Sequence, residues 1–143
     1  REGMALGQYI AGMGFSNVGL GIDHAMAHTL SAHYDTPHGV ACAMLLPISM
    51  EFNKPVVAER QARIATAMGV DTTGMSTEEA ADAAIAAVRR LSEDVSIPKT
   101  CRGLVEEDLD QLADDALADA CYPGNPREAT HEQVKELFRK IMA

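Results

Sequence analysis

The sequence predicts an all-α fold, a bundle of about seven helices in a single domain. Three observations carry this: apolar residues recur at helical spacing in segment after segment, strand signals are nearly absent, and no repeat, low-complexity tract or composition shift marks a linker. A length of 143 residues is enough for one compact core and not for two ordinary domains.

The elements follow in order. Arg1 to Ala11 reads as helix with no Ser, Thr or Asp cap ahead of it, and residue 1 is Arg rather than Met, so the chain is expected to be a piece of a longer one. Asn17 or Ser16 is positioned to cap a second helix through Leu20, His24, Ala27, His28 and Ser31, whose small residues Gly19, Gly21, Ala25 and Ala27 suit a central, buried position. Asp35-Thr36-Pro37-His38-Gly39 is a turn and a new start. The third helix carries Val40, Ala43, Met44 and Leu46, and Pro47 should kink or end it. Asn53-Lys54-Pro55 reads as a further break before a helix from Val56 to Met68, with Gly69 as its stop.

Ser76-Thr77-Glu78-Glu79 has the form of a capping box, followed by an Ala-rich helix to Leu91. Ile97-Pro98 breaks the chain again. Glu106 to Ala120 is amphipathic, with Leu109, Leu112, Ala116 and Leu117 on one face, and Thr130 caps a last helix to Met142.

Composition narrows the function classes. Residues are 47% hydrophobic, 23% charged and 4% aromatic, and twelve Lys and Arg against twenty-one Asp and Glu leave a net charge of −9. Such a surface repels phosphate backbones and anionic headgroups, so neither nucleic acid nor membrane is an expected partner. The longest near-apolar run, Val40 to Met50, is about half a bilayer span, and neither a signal peptide nor an anchor is read from the chain. Cys42, Cys101 and Cys121 are odd in number and lack paired spacing, which fits a reducing cytoplasm best.

Chemistry concentrates in the histidines. Four of the five, His24, His28, His33 and His38, lie within fifteen residues. His24 and His28 are four apart and so share one helical face, the support two imidazoles need to meet a metal, and His38 follows a turn that can return it to the same point. Imidazole suits Fe(II), Zn(II), Ni(II) and Cu(II). The competing reading is a pair of packed or solvated histidines; against it, the surrounding Gly, Ala, Met and Leu make unpaired buried imidazoles costly. Asp23 is expected to face water or serve as a cap, and Asp35 to cap its turn. No carboxylate stands at a clear ligand spacing, so any missing ligand would come from residues outside this chain.

These residues carry a resemblance. The run from Gly12 to His28 (GMGFSNVGLGIDHAMAH) and that from Thr36 to Pro47 (TPHGVACAMLLP) resemble the signature of the iron-containing (group III) alcohol dehydrogenases. Ser96-Ile97-Pro98, Leu112-Ala113, Ala116 to Cys121 and Asn125-Pro126-Arg127 resemble later landmarks of that family, so nearly the whole chain is covered. Gly74-Met75-Ser76 and Gly124 to Thr130 are most similar to the branch that interconverts lactaldehyde and 1,2-propanediol with NAD.

The resemblance implies an all-helical C-terminal domain of the dehydroquinate synthase-like kind over residues 1–143, with a divalent iron, or zinc as in glycerol dehydrogenase-like relatives, between it and an α/β nucleotide-binding domain absent from this chain. It implies that His24 and His38 are metal ligands, completed by an Asp and a His from an earlier helix. His28 would lie beside the nicotinamide and the substrate oxygen as a catalytic, cofactor-contacting group, and Phe15 and Cys121 would lie at the substrate end of the cleft. His33 falls where the family usually carries an apolar or aromatic residue, and Thr29 and Ser31 where Pro and Gly are frequent; His33 reads as structural or solvent-facing.

Cys121 has a second reading as a small buried hydrophobe without the cationic setting that activates a thiolate, and His131 reads as solvated. No GxGxxG or phosphate loop follows a strand, so the main dinucleotide grip lies elsewhere. The implied activity is NAD-dependent oxidation or reduction of a small alcohol or aldehyde by a homo-oligomeric parent enzyme, this chain alone being folded and inactive. Butanol, 1,3-propanediol or glycerol dehydrogenase-like enzymes, or a non-catalytic helical interaction module, are the alternatives.

Overall fold

Two helices start where the local sequence dictates. Ser76 Oγ accepts from the Glu79 amide at 3.2 Å while Glu79 Oε2 accepts from the Ser76 amide at 2.8 Å. Thr130 and Gln133 repeat the exchange at 3.2 and 2.9 Å. Each box satisfies amides that have no partner inside the helix.

The computed structural model describes residues 1–143. Six α-helices follow one another: α1 Glu2–Phe15, α2 Ile22–Tyr34, α3 His38–Ala67, α4 Thr77–Asp94, α5 Leu109–Ala118 and α6 His131–Arg139. Single 3-10 turns lie at Glu106–Asp108 and Tyr122–Gly124, and there is no strand. The expected amphipathic helix from Glu106 is therefore a 3-10 turn followed by α5, with Leu109, Leu112 and Ala116 buried as predicted.

The break expected at Asn53-Lys54-Pro55 is present as a kink at Val57, so α3 is two helical arms in one continuous segment and the count of about seven stands. Pro47 does not end it, and the only non-helical backbone inside it is at Val57, φ −133° and ψ 18°, just past Pro55. Pro47 is buried, and α3 is packed by α2 on one side and α4 on the other, so burial along the helix outweighs the hydrogen bond the proline ring removes. Gln61, itself buried, donates to the Met50 carbonyl at 2.8 Å and ties the two arms of α3 across the bend. Gly69 ends the segment at φ +81°, a conformation that favours glycine. By length and composition α3 resembles a bilayer-crossing helix, but it is the core helix of the bundle.

The packing order is α4, α3, α2, α5, α6. Ile22, Met26 and Leu30 of α2 meet Met44, Leu45 and Ile48 of α3, Leu109 and Leu112 of α5, and Val134 and Phe138 of α6 in one apolar core. Both arms of α3, with α4, enclose a smaller one built on Met50, Ala65, Ala84, Ile85 and Val88. α2 is central and buried, as its composition predicts. α1 buries no residue: Met4, Leu6, Tyr9, Ile10 and Met13 are exposed along it.

The start of α2 corrects the sequence reading. Neither Ser16 nor Asn17 caps it; Asn17 donates instead to the Met13 carbonyl at the end of α1. Gly21 is the N-cap, and the Ile22 amide donates to Asn125 Oδ1 at 3.2 Å from across the fold. The chain at Gly124 crosses so close to Leu20 that a Cβ on Gly124 would lie 2.0 Å from the Leu20 carbonyl oxygen. Asn125 also exchanges hydrogen bonds with Asn53 of α3 at 3.0 and 2.9 Å, and the Arg127 guanidinium stands 4.2 Å from the centre of the Phe52 ring. Asn125-Pro126-Arg127 thus staples the start of α2 to the middle of α3.

Candidate active site

α2 presents His24 and His28 from one face, one turn apart, and the turn Asp35-Thr36-Pro37 brings His38, the first residue of α3, back to them. Asp35 caps α2 by adopting φ +50° and donating its amide to the Leu30 carbonyl, a backbone role in place of the side-chain cap expected. The ring centres are 6.2 Å apart for His24 and His28, 5.5 Å for His24 and His38, and 5.2 Å for His28 and His38, the last pair stacked. Phe15, at the end of α1, has its ring centre 6.4 Å from that of His24.

His28 Nδ1 donates to Asp119 Oδ2 at 2.8 Å. Asp119 follows α5 and also accepts from the Cys121 amide at 2.7 Å. Burial works against its charge, but the hydrogen bonds from the Cys121 amide and from His28 outweigh it and hold the carboxyl below its ordinary value. Cys121 lies with His28 and Asp119, its ligand atom within 4.8 Å of theirs. Burial, and next the Asp119 carboxylate, push its thiol up, in keeping with the absence of an activating cation.

Two neighbours complete the electrostatics. Asp23 does not face water: its side chain is 17% exposed, accepts from Ser49 Oγ at 3.3 Å and stands 3.6 Å from His24 Nδ1. Burial pushes its carboxyl up to about 7, the Ser49 hydroxyl partly offsetting this. Burial lowers His24, and the imidazoles of His38 and His28 lower it further, so its neutral, metal-binding form is favoured. Cys42, one turn beyond His38, places Sγ 3.5 Å from His38 Nε2. Burial, then Asp23, push that thiol up to about 11.

The structure therefore gathers Phe15, His24, His28, His38 and Cys121 in one place. His33 faces away and pairs with Asp115 at 2.8 Å, and His131 contacts Asp114 at 3.2 Å on the surface. Sequence reasoning missed Asp119, Asp23 and Cys42. A signal existed for Asp119: an acid at the C-terminal end of a helix opposes the macrodipole and so implies another partner. His24, His38 and Cys42 offer ligand atoms all within 4.8 Å of one another, with His38 exposed. Two imidazoles beside a thiol on a partly open face suit a first-row divalent ion, so this half-shell fits iron or zinc.

The helical bundle thus brings three histidines together on one partly open face. Residues 1–142 match the Fe-containing alcohol dehydrogenase family, C-terminal, and the chain belongs to that family. Lactaldehyde reductase of Escherichia coli (strain K12) is 56% identical over 139 residues, which are 96% of this chain and 36% of that protein. The 1,3-propanediol dehydrogenase of Citrobacter freundii is 45% identical over 142 residues, 98% of this chain and 37% of that one. The solved alcohol dehydrogenase from Oenococcus oeni superimposes with a TM-score of 0.88 at 46% identity, covering 92% of this chain and 35% of its own. The chain thus spans little more than a third of the length of these relatives.

Proposed function

We propose that residues 1–143 are the metal-binding helical domain of an iron-dependent, NAD-linked alcohol dehydrogenase that interconverts lactaldehyde and 1,2-propanediol. The single observation that carries this is the convergence of His24, His28 and His38 with Asp119 behind His28. The likeness to lactaldehyde reductase supports the substrate.

A bound divalent iron would supply Lewis acidity, and a bound nicotinamide the capacity for hydride transfer. His24 and His38 would hold the ion from this side, with further ligands and the nucleotide grip coming from an N-terminal domain. Asp119 fixes the His28 proton on Nδ1, which leaves Nε2 free to take the proton of the substrate hydroxyl or return it from solvent. Phe15 and Cys121 wall the substrate end. Three free cysteines and an acidic surface support a reducing cytoplasmic setting, and the bare apolar stripe of α1 supports burial against the rest of a homo-oligomeric enzyme.

The test is made in the full-length protein. His24→Ala and His38→Ala should lose iron and activity together, whereas His28→Ala should keep iron and lose roughly a hundredfold or more in kcat. Iron retained by both ligand variants would overturn the assignment. The purified chain by itself should fold and leave 1,2-propanediol and NAD unchanged.

A further inference from the structure

We propose that the cavity between the first arm of α3, the end of α4 and the Ile97-Pro98-Lys99 loop binds a medium-chain hydroxycarboxylate, with its carboxylate on Arg89 and Lys140, its chain on apolar side chains and its hydroxyl on the Ala43 carbonyl. The inference is independent of the metal site: Ala43, Pro47 and Glu51 recur every four residues along α3, on the face opposite His38.

The cavity has a volume of about 480 Å³, in the range of small-molecule sites. Met44, Pro47 and Ile48 line it from α3 and are buried, and Ile97 and Pro98 line it from the loop. Pro47 also leaves an acceptor there. Having no N–H, it cannot give the Ala43 carbonyl the hydrogen bond that a residue four places on donates in a helix. Ala43 and Pro47 both line the cavity, so a ligand hydroxyl meets a carbonyl whose helical partner is missing.

The rim is cationic in a chain whose net charge is −9. Arg89, Lys99 and Lys140 line it with Glu51 and Glu93, three cations to two carboxylates. Glu51 serves two of them, at 2.5 Å from Arg89 and 3.4 Å from Lys140, while Lys99 stands 2.6 Å from Glu93. One positive charge at the Glu51 end is therefore unmatched, and pairs this exposed contribute little and yield to a better-placed anion. The Arg89 guanidinium is the planar fork that a carboxylate takes with two hydrogen bonds. The carbonyl end of α4 does not oppose it, because the Ile97 amide closes onto the Ser92 carbonyl at 2.8 Å. Ala43 and Glu51 are about 12 Å apart along the helix. Charge and open carbonyl thus stand at opposite ends of the cavity, and an apolar chain must join the groups that meet them.

The experiment follows the amide spectrum of the 143-residue chain as 6-hydroxyhexanoate is added, beside hexanoate, which lacks the hydroxyl, and 1,6-hexanediol, which lacks the charge. Far-UV dichroism confirms that each variant is folded. 6-Hydroxyhexanoate should shift the Ile48, Ile97 and Lys99 amides saturably, with hexanoate about threefold weaker and the diol at least about tenfold weaker. Arg89→Gln with Lys140→Gln should weaken 6-hydroxyhexanoate by at least about tenfold. Pro47→Ala returns an amide donor to the Ala43 carbonyl, so it should erase the advantage over hexanoate and leave hexanoate itself unchanged. Shifts that do not saturate or are confined to α1, an affinity untouched by the Arg89 and Lys140 changes, or a preference for the hydroxyl that survives Pro47→Ala overturns the proposal.

Discussion

Asp119 accepts a hydrogen bond from His28 Nδ1 at 2.8 Å across 91 residues of chain. The carboxylate fixes which ring nitrogen carries the proton and aims the other at the open face. Asp119→Asn should release that constraint: long-range proton–nitrogen correlation spectra should change from a single Nδ1–H tautomer to a mixture. In the full-length enzyme the same variant should lower kcat about ten- to a hundredfold with iron content unchanged.

Gly124→Ala should be among the costliest small substitutions in the chain. Its Cβ would meet the Leu20 carbonyl oxygen at 2.0 Å, a backbone atom that moves only if the whole crossing opens. A loss of about 1–3 kcal/mol is expected from overpacking, seen as a lower urea midpoint at constant slope. The Asn125 cap on Ile22 should weaken with it, detected as faster exchange of the Ile22 amide.

Ser76→Ala and Thr130→Ala should each cost about 1 kcal/mol by removing the hydroxyl half of a capping box. The two boxes open different helices and share no hydrogen bond, so the double variant should lose the sum within about 0.5 kcal/mol. Chemical denaturation of the three variants checks both statements.

Tyr34 donates its hydroxyl to Asp108, and burial followed by that contact pushes its pKa from 10.0 up to about 12. A raised pKa means the folded state holds the proton more tightly. The stabilisation is therefore present below pH 10 and is lost as pH rises through about 12. Its size is about 1–2 kcal/mol once solvent screening is included. Tyr34→Phe should abolish this part of the alkaline stability profile, so the gap between wild type and variant closes across that window.

The stripe Leu6, Tyr9, Ile10 and Met13 on α1 is apolar and uncovered. The isolated chain should associate with rising concentration, and Leu6→Glu with Ile10→Glu should return it to a monomer. Sedimentation velocity distinguishes the outcomes, and a strictly monomeric wild type at high concentration would contradict the expectation.

Much of this architecture is legible locally. Ser76-Glu79 and Thr130-Gln133 carry their own hydrogen-bonding partners three residues away, Gly69 supplies a stop that needs φ +81°, and the spacing of Leu109, Leu112 and Ala116 places them on one buried face. His24 and His28 share a face because four residues is close to one helical turn. The resemblance in the runs Gly12 to His28 and Thr36 to Pro47 extends the reading to His38.

Tertiary structure decided the rest, in each case through a partner far away in sequence. Pro47 stays inside α3 because neighbouring helices hold it from both sides, which local propensity does not weigh. α2 begins at Ile22, and not at Ser16 or Asn17, because its cap arrives from Asn125 through a crossing that only Gly124 permits. Asp23, read as facing water or serving as a cap, is half-buried against Ser49. By itself, then, the sequence determined an all-helical domain with a histidine-bearing face. Only the fold decided that Asp119 stands behind His28, because that juxtaposition depends on the packing of α2 against α5 rather than on any local pattern.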